Sequence, residues 1–137
     1  MECAICGRQA STICIRCRRP ICENCLDKTW YLCRECASLK WEIEADYHRR
    51  LNYLENVYSV SKEKAKIAQC KNCIILRELL ISVLKLLREI LDEARKEGFD
   101  EVERRARKLE LKITNLLLPI LIRQGIAFID RNKGFIR

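Results

Sequence analysis

Apolar residues recur through the middle of this chain at the period of an α-helix. Leu39, Ile43, Tyr47, Leu51, Leu54 and Tyr58 follow one another at spacings of four, four, four, three and four, which puts them on one stripe. The spacing predicts a first helix over about 38–68, with Ser38 as its N-cap and a break or re-cap at Ser59-Val60-Ser61. A second helix is predicted over about 70–97. Its apolar residues, among them Ile75, Leu79, Leu80, Leu84, Leu87 and Leu91, cover more than half its circumference, so it needs neighbours on several sides. Gly98 suits its C-terminal cap. A third helix, over about 100–123, begins charged and turns apolar from Leu109 to Leu121. Pro119 falls inside that run and is expected to kink or loosen the last turn. After Gly125 the pattern changes again. Ile126–Ile129, then Asp130–Gly134, then Phe135–Arg137 reads as strand, turn and short strand, a C-terminal β-hairpin over 125–137.

Residues 1–37 follow neither period. They carry four Cys-x-x-Cys pairs, Cys3/Cys6, Cys14/Cys17, Cys22/Cys25 and Cys33/Cys36, separated by seven, four and seven residues. Eight sulfurs at this spacing are enough for two tetrahedral four-cysteine zinc sites. So short a piece buries too little apolar surface to fold alone. Its expected core is thin: Ile5, Ile13, Ile15, Ile21, Leu26, Trp30, Tyr31 and Leu32. Metal then has to supply the folding energy, roughly 10–16 kcal/mol per structural zinc site. Four knuckles pair either sequentially or in an interleaved way. Only four residues separate Cys17 from Cys22, which is short for two independent sites side by side. That favours interleaving, with Cys3, Cys6, Cys22 and Cys25 on one zinc and Cys14, Cys17, Cys33 and Cys36 on the other. The predicted fold is a small zinc-bound finger (1–37) followed by an all-α helical bundle or coiled-coil body (38–124) and the terminal hairpin, with two Zn2+ per chain.

Composition narrows the setting. A disulfide scaffold needs an oxidising compartment, and residues 1–30 are charged throughout, with no apolar core of a signal peptide. The longest uncharged apolar stretch, Ile113–Ile122, is far too short to span a membrane. The expectation is a cytoplasmic, reduced, zinc-loaded protein with no membrane contact. The formal charge is +8, but each four-thiolate site carries a net −2, so two sites bring the total to about +4. Lys and Arg exceed the acids by seven to four in residues 1–40 and by nine to five in residues 99–137, and nearly balance them between. A polyanion would therefore meet the two ends of the chain.

The run Cys3-Ala-Ile-Cys6-Gly7, Cys14-Ile-Arg-Cys17, Cys22-Glu-Asn-Cys25, continued by Cys33 and Cys36, resembles the B-box class of zinc fingers and is similar to HIT-type fingers. The resemblance covers about residues 1–36. Those families usually have histidines in the last ligand pairs, where this chain has Cys33 and Cys36. RING domains share interleaved ligation but usually have a longer first loop and a histidine, so the likeness to them, and to a ubiquitin ligase, is poorer. A B-box finger often precedes a long self-associating helical segment, and this chain has that order. The resemblance implies an interaction or assembly module.

Other residues carry sharper and plainer readings. Arg16, Arg18, Arg19 and Arg34 surround the knuckles and, with Arg104, Arg105, Arg107 and Lys108, make a candidate nucleic-acid surface. Their plainer role is to offset the thiolate charge and solvate the surface. Trp30, Tyr31 and Trp41 offer faces for base stacking, or join the finger to the first helix. Cys70 and Cys73 are either two small buried residues, or half of an inter-chain metal site or disulfide. His48 reads as a surface or boundary residue. No catalytic constellation can be assembled, and a zinc with four thiolates keeps no open position for water. The expected function is a zinc-stabilised adaptor that binds a protein partner and self-associates through its helices as a dimer or larger. The alternative is a nucleic-acid-binding accessory protein.

Overall fold

The computed structural model describes residues 1–67 and 74–131. Two compact units divide the chain, Met1–Asp46 and Tyr47–Arg137.

The first unit is built from two hairpins of minimal length. β1 (Thr12–Ile13) pairs antiparallel with β2 (Pro20–Ile21), with Thr12 opposite Ile21. A single 3-10 turn, Glu23–Cys25, leads into β3 (Leu26–Asp27), which pairs with β4 (Leu32–Cys33). Helix α1 (Arg34–Ala65) follows β4 directly. It begins four residues before the Ser38 start read from the sequence. Cys33 takes the capping position instead, its sulfur accepting the Cys36 amide at 3.3 Å. That amide is one of the first-turn donors that otherwise lack a partner.

The core of this unit differs from the expected one. Ile21, Leu32 and Ala37 are buried together with Cys3, Cys14, Cys22, Cys25 and Cys33, and Ile5, Leu26 and Trp30 pack at its edge. Ile13, Ile15 and Tyr31 are exposed. Ile15 and Tyr31 lie in turns outside the strands, and sulfur fills much of the centre beside Ile21 and Leu32.

In the second unit, helices α2 (Ile74–Glu97) and α3 (Asp100–Arg131) pack against each other. The join is a helix-ending motif with Gly98 at φ 76°: the Phe99 amide donates to Ala94 O at 2.9 Å and the Gly98 amide to Arg95 O. Phe99 is fully buried, as are Leu80, Leu87, Val102, Ala106, Ile113 and Ile120. From α1, Tyr47, Leu51 and Leu54 are buried, whereas Leu39 and Ile43, lying in the first unit, are exposed. The buried part of the predicted stripe thus starts where the second unit starts. Arg105 on α3 reaches three α1 residues: His48 Nδ1 at 2.8 Å, Asn52 Oδ1 at 2.7 Å and Glu55 Oε1 at 2.9 Å. Tyr47 donates to Glu93.

Three expectations are corrected. Helix α1 runs through Ser59-Val60-Ser61 without a break. Ser61 continues the buried stripe in steps of three and four residues from Leu54 and Tyr58, so position in the stripe overrides propensity. Helix α3 passes through Pro119 and Gly125 and continues to Arg131, so residues 126–131 are helical where a strand was expected. A short apolar run is ambiguous between strand and helix. Extending an existing helix needs no new nucleus, and burial of Leu117 and Ile120 beside Pro119 offsets its missing donor. The rest of the predicted hairpin, residues 132–137, lies outside the described residues, as do Cys70 and Cys73.

Ser61 is 1 % exposed, and its Oγ has no hydrogen-bond partner among the described residues. A buried hydroxyl without a partner costs about 1–3 kcal/mol. Ser61→Ala is therefore expected to raise stability by about 1 kcal/mol in urea denaturation. A destabilised variant would mean that the hydroxyl is bonded in solution.

Candidate metal centre

The cysteine pairs come together in the interleaved pattern. Cys3, Cys6, Cys22 and Cys25 form one set, and Cys14, Cys17, Cys33 and Cys36 the other, with the sulfurs of each set all within 4.8 Å of one another. All eight are free thiols. Four sulfurs bound tetrahedrally to one zinc stand about 3.8 Å apart, from a Zn–S bond of about 2.3 Å. The Cys17–Cys33 pair is at 3.8 Å and the Cys6–Cys22 pair at 3.4 Å. The donor set is soft, complete and spaced for a tetrahedral ion, so the residues fit two metal ions.

The first knuckle of each set repeats one backbone geometry. Cys3 and Cys14 each donate from their amide to the residue five places on, Arg8 O at 2.6 Å and Arg19 O at 2.9 Å. The residue after each second cysteine returns a bond, Gly7 to Cys3 O at 3.0 Å and Arg18 to Cys14 O at 2.8 Å. That residue has positive φ, 78° for Gly7 and 65° for Arg18. Glycine adopts this conformation freely; an L-residue held there costs about 1–2 kcal/mol. The sequence signals the turn at Gly7 and hides it at Arg18.

Before any metal arrives the surroundings lower some of these thiols and raise others. The Cys6 amide, helped by those of Cys22 and Ile5 and opposed by burial, draws Cys3 down to about 6. Burial pushes Cys14 up, but the amides of Cys17, Cys33 and Arg16 outweigh it and bring it down to about 6. The Arg19 guanidinium lowers Cys17. Burial and neighbouring thiolates push Cys25 and Cys36 up to about 12. At neutral pH a metal entering either set therefore displaces a proton from Cys25 or Cys36.

The candidate nucleic-acid residues are largely committed elsewhere. Arg19 contacts Cys17, Cys33 and Glu35, and Arg34 donates to Asn24 O at 3.3 Å. Arg104 pairs with Glu101, Arg107 with Glu103, and Arg105 with His48, Asn52 and Glu55. Arg16 also has a partner. Arg18 and Lys108 are exposed. Trp30 and Trp41 meet at 4.6 Å between ring centroids, tying the β3–β4 turn to α1, while Tyr31 points to solvent. Sequence reading missed the inward role of Arg105 and the sulfur contacts of Arg19, since both lie among other arginines.

Among the described residues no helix is long and apolar enough to cross a membrane. Comparison with protein-family models, with curated proteins and with solved structures gives no match to this chain.

Proposed function

We propose that this protein is a non-catalytic adaptor. A B-box-like finger holds two zinc ions, and the helices associate with a second copy to present the finger to a protein partner in the cytoplasm. Zinc is the ion this donor set suits best, because four thiolates in a tetrahedron match its preference. The thinness of the finger core supports this: with only Ile21, Leu32 and Ala37 as buried apolar side chains beyond the cysteines, an ion is needed to hold it.

The observation that carries self-association is an outward apolar row on each helix of the α2–α3 pair. Ile75, Leu79 and Leu86 lie at spacings of four and seven on α2, and Leu111, Leu118 and Ile122 at seven and four on α3, all exposed. Of the α2 leucines expected in a helix–helix interface within the bundle or across subunits, Leu80, Leu87 and Leu91 are buried and Leu84 is half-buried, while Leu79 belongs to the outward row. Each apolar row matches a surface that a helix of another copy covers.

Light scattering at micromolar concentration is expected to give a dimer or larger, and Leu86→Glu with Leu118→Glu to give a monomer that keeps its helical signal. A monomeric native chain would refute self-association. The nucleic-acid reading draws less support, because six of its eight residues, Arg16, Arg19, Arg34, Arg104, Arg105 and Arg107, already have partners. Salt-sensitive binding of RNA or DNA that Arg18→Gln weakens would revive it.

A further inference from the structure

The two cysteine sets differ in their surroundings. Arg19 Nε donates to Cys17 Sγ at 3.2 Å, and its Nη2 lies 3.4 Å from Cys33 Sγ. The same Nη2 is 2.8 Å from Glu35 Oε2, which fixes the guanidinium from the first turn of α1. The Cys36 amide adds a further donor to Cys33 Sγ, at the positive end of a 32-residue helix. The other set has less. The Arg34 guanidinium approaches it, but its Nη2 donates to Asn24 O and stands 4.0 Å from Cys25 Sγ. Each set has one exposed cysteine, Cys6 here and Cys17 in the other, so exposure does not separate them, but the helical turn that carries Cys25 has only three residues.

We propose that Arg19 is a positioning residue that latches the Cys14, Cys17, Cys33 and Cys36 site, so that the two zinc sites release metal in a fixed order, the Cys3, Cys6, Cys22 and Cys25 site first. The inference rests on reading both sets as zinc sites. A thiolate ligand lets go of zinc when an electrophile captures its sulfur. An N–H donor on that sulfur stabilises its anionic form and occupies a lone pair that the attacker needs. The planar fork of arginine serves two ligands of one ion at once, which a lysine ammonium on its flexible stem does not do in a fixed geometry. It also sets a positive charge against the net −2 of the site. Outer partners of metal ligands are worth about 10–100-fold in metal affinity. The Arg19 side chain is 37 % exposed, so solvent screening puts its effect near the lower end, about tenfold.

The experiment uses the full chain loaded with zinc. Metal content is measured first, then a neutral nitrogen chelator is added together with a thiol alkylating agent. A neutral chelator keeps the charge change in the variants from steering its approach. Mass spectrometry of peptides reports which cysteines become labelled and how fast. In the native protein Cys3, Cys6, Cys22 and Cys25 are expected to be labelled first. Arg19→Gln is expected to speed labelling of Cys14, Cys17, Cys33 and Cys36 about tenfold and to leave the other set unchanged. Arg19→Lys restores only part of the protection, and Glu35→Gln gives a smaller acceleration at the same four cysteines. A general loosening of the finger would instead speed both sets together, and that result overturns the latch. Equal release in the native chain, or an unchanged rate in Arg19→Gln, overturns it as well. Should Arg19→Gln fail to fold, Glu35→Gln decides: no acceleration there counts against the latch. Fewer than two zincs in the native chain overturns the metal reading itself, whereas two zincs released without order overturns the latch alone.

Discussion

Removal of zinc by a strong chelator, or Cys22→Ser, is expected to abolish the tertiary structure of the first unit while most of the helical circular dichroism remains. Cys22 is buried and sits centrally in its set. The magnitudes decide the direction. A structural zinc site contributes roughly 10–16 kcal/mol to folding. A fully buried Leu or Ile contributes about 1.5–3 kcal/mol, and this core has one of each, Ile21 and Leu32, with only Ala37 beside them. Burial cannot replace the ion. The second unit holds its own core around Leu80, Leu87, Phe99 and Ile113 and needs no metal among its described residues. Both tryptophans, Trp30 and Trp41, lie in the first unit. Their fluorescence therefore reports that unit, while ellipticity at the helical minimum reports chiefly the second. Loss of the tryptophan environment with retained ellipticity is the expected result. Wholesale loss of ellipticity would show that the two units fold as one, and unchanged tryptophan emission would show that the finger stands without metal.

The converse experiment is Phe99→Ala. Among the described residues Phe99 is the largest fully buried side chain, and its ring lies 6.0 Å from that of Tyr47. Removing it leaves a cavity where α2 turns into α3, at an expected cost of about 3–5 kcal/mol. That is a large share of the roughly 5–15 kcal/mol that holds a domain together. The urea midpoint of the helical signal is expected to fall sharply, with metal content unchanged. A loss below about 1 kcal/mol, the median for any substitution, would show that the turn repacks around the missing ring. Loss of metal in this variant would join the two units energetically.

Cysteine spacing made the pairing of the sets legible, because a middle gap of four residues leaves two adjacent knuckles little room to close on one another. Periodicity made helices legible wherever the stripe was long, as from Tyr47 to Leu54 and from Leu76 to Ala94. The failures have particular causes. Ile13, Ile15 and Tyr31 look like core by type, but five cysteines share the centre with Ile21, Leu32 and Ala37, and Ile15 and Tyr31 fall in turns outside the strands. Ser38 looks like the start of α1 because serine caps helices, and nothing in a sequence marks Cys33 as doing so. Ser61 was read as a break by propensity and is held in the helix by its place in the stripe. Gly125 and Pro119 signal an end that helix α3 ignores. Arg19 and Arg105 resemble their charged neighbours in sequence, and only three-dimensional proximity separates the latch and the bridge from solvated arginines.

The sulfur of Cys33 ends strand β4, caps α1 and belongs to a four-cysteine set. With zinc bound there, this combination bears on how the chain folds. The costly event in making a helix is closing its first turn, which fixes several backbone angles for a single bond. Two sulfurs three residues apart on one ion, Cys33 and Cys36, fix that turn from outside the helix. Metal capture there would close that first turn and set the register of the N-terminal end of α1, while the stretch from Tyr47 onward has buried residues of its own in the second unit.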